Sequence, residues 1–151
     1  MTLSIRQATP ADAATIVEFN RRMALETEDK VLDPQVLAAG VAGALADAHK
    51  AVYFVAEEDR QILGQVSVTL EWSDWRNGWL WWFQSVYVRP EARRRGVFKA
   101  LYEHVYAAAC ADPQVIGLRL YVEKENHSAQ QTYLRLGMEW TPYLLLQKYP
   151  L

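Results

Sequence analysis

The chain has 151 residues, of which 51% are apolar and 23% charged, and its formal net charge is -2. This length fits one domain spanning residues 1–151, and the apolar share is that of a globular protein rather than a disordered one. No apolar run approaches the about 20 residues of a membrane span, and the N-terminus lacks a signal-peptide pattern, so we expect a cytoplasmic protein without a membrane partner.

The first half of the chain predicts a strand, two helices and a pair of strands. Leu3–Ala8 alternates as a strand does, and Thr9–Asp12 then supplies an N-cap, a proline at the first helical position and an acid in the first turn. This helix ends in the acidic segment Glu26–Asp29, and Asp33-Pro34 repeats the start signal for a second helix. The two strands that follow are predicted at Ala51–Glu57 and Gln61–Leu70.

The middle of the chain predicts a hairpin and then a strand-helix-strand unit. Glu71–Gly78 is a polar loop that ends in an Asn-Gly pair, and Trp79–Val88 returns as an antiparallel strand with aromatic residues on both faces. A helix over Gly96–Asp112 leads to a strand at Val115–Val122, which favours a parallel pair. Cys110, the one cysteine, excludes an intrachain disulfide and is expected to be a small buried residue of that helix.

The last quarter predicts a helix and a closing strand. Glu123–Asn126 leads into a fourth helix that stops at Gly137, and Met138–Lys148 is expected to be the final strand of the sheet. The order is therefore β-α-α-β-β-β-α-β-α-β. This order predicts an α/β protein with a central mixed sheet flanked by helices.

A basic turn joins the aromatic strand to the third helix, within Ser85–Ala100. Three arginines, Arg93–Arg95, precede Gly96, and an amphipathic helix follows. The first amides of a helix have no intrahelical partner and carry roughly half a positive charge, so the turn is a prepared anion site. On a mildly acidic chain this local patch suits a small polyphosphate better than nucleic acid.

The turn resembles the acetyl-CoA loop of the GNAT superfamily of N-acetyltransferases. The pattern of that loop is Arg or Gln, two residues, Gly, one residue, then Gly or Ala. Arg93 and Gly96 match it. Phe98 departs from it, because the family usually has a small residue there that lets the pyrophosphate lie on the backbone.

A second stretch, Asn126–Met138, resembles the family motif Asn-x-x-Ala-x-x-x-Tyr-x-x-x-Gly-Phe/Met, with every fixed position present. Seven residues are close to two helical turns, so Asn126 and Tyr133 fall on one helix face about 10 Å apart and can line one side of an extended ligand. The predicted element order is also that of the GNAT-like acyl-CoA N-acyltransferase fold. The resemblance implies acetyl-CoA as cosubstrate.

By the family pattern, each matching segment has a role toward acetyl-CoA. The strand backbone would pair with the pantetheine arm, the amides of the turn would hold the pyrophosphate, and Asn126 would contact the pantetheine. Tyr133 is the expected general acid, which protonates the departing thiolate. The cofactor-binding residues implied by the resemblance are Val86, Tyr87, Val88, Arg93, Arg94, Arg95, Gly96, Val97, Phe98, Lys99, Asn126 and Tyr133.

The group that accepts the amine proton stays open at this point. An alkyl amine with a pKa near about 10.4 is almost fully protonated at neutral pH, so its proton must pass to a base, directly or through water. Many relatives use a carboxylate on the strand before the loop, but Trp79–Val88 contains none. Glu71, Glu26 and a chain of water molecules are the remaining candidates.

The predicted function is transfer of the acetyl group of acetyl-CoA to a primary amine of a small molecule or of a protein. Acidic and aromatic side chains in the segments that would border the cleft suit a cationic acceptor, whose identity the sequence does not specify. These side chains are Glu26, Glu28, Asp29, Glu71, Asp74, Trp72 and Trp75.

Two other functions are open to such a sequence. One is a CoA-binding regulatory or interaction module that has the same fold without catalysis. The other is a nucleic-acid binder using Arg93–Arg95, against which the net charge of -2 counts. The aromatic content would support a homodimer. His49, His104 and His127 lack a metal-ligand spacing, so no metal is expected.

Overall fold

The computed structural model describes residues 2–151, which form two compact units, one ending at Leu120 and one comprising Tyr121–Leu151. Short 3-10 turns at Pro10–Asp12 and Pro90–Ala92 precede two of the helices. Among the described residues, no helix is both long enough and apolar enough to cross a membrane. The helices and strands are β1 Ser4–Gln7, α1 Ala13–Glu28, α2 Pro34–Ala46, β2 Val52–Glu58, β3 Gln61–Ser73, β4 Gly78–Val88, α3 Val97–Ala111, β5 Val115–Leu120 and α4 His127–Arg135.

The first unit is organised on a mixed sheet with the strand order β1-β2-β3-β4-β5. The first four strands are consecutive antiparallel neighbours, and β5 lies parallel to β4. The parallel pair follows from the α3 crossover, because a strand-helix-strand connection returns the chain in the same direction.

Helices α1 and α3 cover opposite faces of this sheet. Gly64 and Gln65 are consecutive in β3, so their side-chain positions lie on different faces. Asn20 of α1 accepts a hydrogen bond from Gln65, whereas Val97 of α3 lies 3.0 Å from where a Cβ on Gly64 would stand. The middle of β3 is consequently buried on both faces.

The predicted final strand, Met138–Lys148, is wrong. In the structure this segment has no strand, and it adds no member to the sheet. A strand exists through ladder hydrogen bonds to a neighbour, and the sequence of one segment cannot by itself supply that neighbour. Leu144 and Leu146 of this segment are 95% and 93% exposed.

The expected burial of Cys110 is also wrong, because the side chain is exposed. The buried stripe of α3 runs through Leu101, Val105 and Ala109. Cys110 is one residue beyond that stripe, and one residue turns the helix by about 100°, away from the core.

Asp12 ties the start of α1 to β1 through Arg6. Arg6 donates to both carboxylate oxygens of Asp12, at 2.8 and 3.0 Å, and to Glu57 at 2.9 Å. The hydrogen bonds from Arg6 hold the pKa of the buried Asp12 carboxyl below its ordinary value. Because the pKa of Asp12 is lower in the folded protein than in the unfolded chain, its ionised form stabilises the fold at pH values above the unfolded-state pKa. This stability is lost as the pH falls through the folded-state pKa.

Asp12→Asn is therefore expected to lower the free energy of unfolding at pH 7 by about 1–2 kcal/mol, a modest value because Arg6 is partly exposed. The difference from the wild type should shrink progressively below about pH 4, where the native carboxyl is protonated as well. Urea unfolding at several pH values measures both effects. A deficit that stays constant down to the acid transition would contradict this role of the ion pair.

Candidate active site

The β4 strand has an open edge where it leaves its parallel neighbour. β5 pairs with Trp79–Phe83 of β4 and ends there, with Phe83 opposite Leu120. On its other side β4 stays paired with β3 up to Val88. Residues 84–88 therefore present backbone groups on the β5 side that no strand of the described residues uses, which is the edge that an extended ligand needs.

A β-bulge lies at the start of this edge. Gln65 pairs with Tyr87 and Ser67 with Gln84, so β4 has one more residue than β3 between these pairs. Ser85 lies in the bulge with a left-handed φ of 49°. That conformation is unfavourable for serine, so the surrounding structure must hold it.

Gln65, a buried residue of β3, stabilises the bulge through a hydrogen bond. Its fully buried side chain donates from Nε2 to the backbone oxygen of Ser85 at 3.0 Å and to Oδ1 of Asn20 at 2.8 Å. Its Oε1 has no hydrogen-bond partner among the described residues. An unpartnered buried oxygen costs about 1–3 kcal/mol, which offsets part of the stability that the two hydrogen bonds of Nε2 contribute.

The turn after β4 forms the N-terminus of α3. Gly96 is the N-cap residue with a left-handed φ of 80°, and the first helical hydrogen bond runs from Ala100 N to Gly96 O. The amides of residues 97–99 precede that bond, at the end of a helix where N–H groups point toward a bound anion. Phe98 is half-buried with its ring near Tyr102, one turn further on, so its bulk packs along α3.

Two of the three arginines of the turn are engaged by carboxylates. Arg93 donates to Glu26 at 2.7 Å and, through Nε, to the backbone oxygen of Val88 at 2.9 Å. Arg95 pairs with Glu58 at 2.8 Å. The two arginine side chains are about half exposed, and such pairs contribute only about 0–1 kcal/mol, so the arginines can exchange their carboxylate partners for a phosphate at little cost.

A cavity of about 490 Å³ adjoins the open edge. Glu26 lies in its wall and accepts a hydrogen bond from the hydroxyl of Tyr87 at 3.1 Å, besides the one from Arg93. Burial raises the pKa of Tyr87, and the hydrogen bond to Glu26 raises it further, so the phenol stays protonated at neutral pH. The cavity is lined by Met23, Glu26, Thr27, Val86, Tyr87, Val88 and Arg93.

The other carboxylate candidate, Glu71, lies elsewhere on the sheet. It accepts from Nε1 of Trp82 at 2.9 Å and from Arg119 at 3.0 Å, which links β3 to β4 and β5. Glu71 is not among the residues that line the cavity. Glu26 therefore lies beside the predicted cofactor segment Val86–Val88, whereas Glu71 lies near the other end of β4.

The second unit carries the remaining predicted site residues. Asn126 is the N-cap of α4, with its Oδ1 accepting from Ala129 N at 3.2 Å. Tyr133 lies on the same helix and is half-buried, and burial raises the pKa of its phenol. The motif spacing thus falls on one helix, as expected. No three His, Cys, Asp or Glu side chains within residues 2–151 are grouped to hold a metal ion.

Residues 16–138 match the family model described as "Acetyltransferase (GNAT) family". The chain belongs to the GNAT family of acetyltransferases. A possible acetyltransferase from Clostridium difficile 630 has 41% sequence identity and a TM-score of 0.94, over 100% of this chain and 99% of that one. Members of this family use acetyl-CoA, and the GNAT fold and family predicted from the two motifs are confirmed.

More distant solved structures share the GNAT fold at 18% identity. A predicted acetyltransferase with acetyl-CoA from Clostridium acetobutylicum has a TM-score of 0.80, over 97% of this chain and 96% of that one. AAC(6')-Iy in complex with the bisubstrate analog CoA-S-monomethyl-acetylneamine has a TM-score of 0.79, over the whole of both chains. A comparison with curated proteins found no match.

Some parts of this GNAT site were not anticipated from the sequence. Thr27 lines the cavity, and Gln65 and Ser85 shape the open edge. A glutamine among the apolar residues of β3 is a signal that could have marked Gln65 as a buried polar residue. Ser85 carries no signal, since serine is ordinary in strands and turns alike.

Proposed function

We propose that the protein transfers the acetyl group of acetyl-CoA to a primary amine. The observation that carries this proposal is the continuous path from the open edge of β4, at Val86–Val88, to the left-handed Gly96 at the N-terminus of α3. The edge suits the amides of a pantetheine arm, and the helix start suits a pyrophosphate. Both are parts of one molecule, CoA.

The chain has residues that fit each part of this cosubstrate. Val86–Val88 would bind the pantetheine arm, and the amides of residues 94–99 would bind the pyrophosphate, with Arg93 and Arg95 exchanging their carboxylate partners for phosphate oxygens. Asn126 would add a polar contact. Acetyl-CoA supplies a thioester whose acyl carbon is open to attack by a neutral amine.

Two proton transfers must accompany the reaction. The amine nitrogen forms a bond to the acyl carbon as the carbon-sulfur bond breaks, so the amine loses a proton and the thiolate gains one. We infer that Tyr133 gives the thiolate its proton, because a phenol whose pKa is raised by burial stays protonated at neutral pH. Glu26 is the favoured base, directly or through water, because it lines the cavity beside Val86–Val88.

The same carboxylate favours a cationic acceptor. An amine that enters the cavity as an ammonium group would meet Glu26 and the ring of Tyr87, which both attract cations. A small-molecule amine is therefore the acceptor class that we favour, with a protein amino group as the other.

A CoA-binding module without catalysis is the second candidate. It is favoured by one observation, that both carboxylates considered as bases already pair with arginines, Glu26 with Arg93 and Glu71 with Arg119. Turnover of the wild-type protein separates this candidate from the enzyme.

Acetyl-CoA and CoA are expected to raise the melting temperature. A ligand that binds only the folded state adds about 2.7 kcal/mol of stability at 100 times its dissociation constant. ADP, which lacks pantetheine, should stabilise less because it cannot pair with Val86–Val88. Thermal unfolding with each ligand measures the difference, and no shift at millimolar CoA would contradict the proposed cofactor.

A further inference from the structure

The open edge of β4 depends on a buried chain of side-chain amides and hydroxyls. Asn20 donates from Nδ2 to the hydroxyl of Tyr53 at 3.3 Å and accepts from Gln65, which in turn donates to the backbone oxygen of Ser85. Asn20, Tyr53 and Gln65 are all buried. This series of hydrogen bonds thus connects α1 and β2 to the bulge in β4.

The direction of these bonds is set by chemistry at the bulge. A backbone carbonyl can only accept, so the Gln65 atom that faces the Ser85 oxygen must be the amide nitrogen. The same nitrogen also faces Asn20, so Asn20 must present its oxygen, and its nitrogen then faces Tyr53. Only a side chain with two amide protons can bind both Asn20 and Ser85 in this way.

We propose that Gln65 is a positioning residue for the cosubstrate. Its bond to the Ser85 oxygen holds the left-handed bulge, and the bulge sets where the open edge at Val86–Val88 begins. Gln65 also buries an unpartnered oxygen, whose desolvation cost offsets much of the stability that its two hydrogen bonds add. This inference rests on the proposed function, since the edge matters only if pantetheine binds there.

Two variants of similar shape separate the effect of the Gln65 amide group from the effect of its side-chain volume. Gln65→Met keeps the length of the side chain without hydrogen-bonding N or O atoms. Gln65→Glu keeps two polar atoms but has at most one proton, so it cannot donate to both Asn20 and Ser85. Both should raise the KM for acetyl-CoA at least about 10-fold, with kcat at saturating acetyl-CoA within about threefold of wild type. Val105→Ala, in the buried stripe of α3, is the control that lowers stability and should leave KM unchanged.

Nuclear magnetic resonance gives a readout that does not depend on activity. In the wild type, the Gln65 side-chain amide should show scalar coupling across the hydrogen bond to the Ser85 carbonyl carbon. In either variant the Ser85 chemical shifts should leave the left-handed range. An absent coupling in the wild type, or folded variants with unchanged Ser85 shifts and KM, would overturn the role of Gln65. A wild type that binds no CoA would instead overturn the proposed function.

Discussion

Replacing Tyr133 with phenylalanine is expected to lower turnover with the best amine by about 10²-fold or more. The substitution removes one hydroxyl and almost no volume. If that hydroxyl protonates the departing thiolate, acetyl-CoA affinity and thermal stability should stay close to those of the wild type. Steady-state kinetics, together with isothermal titration and thermal unfolding, measure all three quantities on one variant.

Each alternative role of Tyr133 gives a different pattern. If its hydroxyl serves only the fold, the free energy of unfolding should fall by about 1–3 kcal/mol, and turnover should fall only with the folded fraction. If the protein is a CoA-binding module, neither the wild type nor the variant should turn over. A folded Tyr133→Phe variant with wild-type turnover would remove the residue from the mechanism.

Gly96→Val is expected to weaken CoA binding by roughly 10- to 100-fold. A Cβ at Gly96 would meet no atom within 4 Å, so the substitution causes no clash inside the protein. The cost to folding is the strain of a β-branched residue at a φ of 80°, about 1–2 kcal/mol. The larger cost falls on the ligand, because the new side chain fills the space in front of the first amides of α3.

Gly137 offers a matched control for this variant. It also has a left-handed φ, 92°, and open space around a Cβ. Gly137→Val should therefore lose comparable stability and keep CoA affinity within about threefold. Isothermal titration of CoA into both variants gives the comparison. Equal CoA affinity in wild type and folded Gly96→Val would show that the turn is only a surface feature.

The basic turn and its helix were predictable from the sequence because their signals are local. A strand rich in aromatic residues, a run of arginines and a glycine predict a helix start, and Gly96 is the N-cap residue of α3 in the structure. The motif on α4 is local in the same way. Its seven-residue spacing needs only the regular geometry of a helix.

The rest of the site depends on contacts between distant parts of the chain. Glu26 and Tyr87 are 61 residues apart and meet only because α1 packs against β4. The bulge at Ser85 depends on Gln65, which lies on the neighbouring strand. Likewise, Met138–Lys148 was predicted to be the last strand of the sheet, although a strand also needs a neighbour with which to pair. Such partners are set by the tertiary fold, which local patterns do not encode.

The most direct measurement of the proposed activity is free thiol release from acetyl-CoA in the presence of a panel of amines. The panel should contain polyamines, amino acids, aminoglycosides and peptides with free amino groups, with the Tyr133→Phe variant as the matched control. We predict thiol release that requires one class of amine, rises with its concentration and yields an equal amount of acetylated product. Thiol release that no amine raises above the level of the Tyr133→Phe variant, from a wild type that binds CoA, would contradict acetyl transfer and favour a binding module.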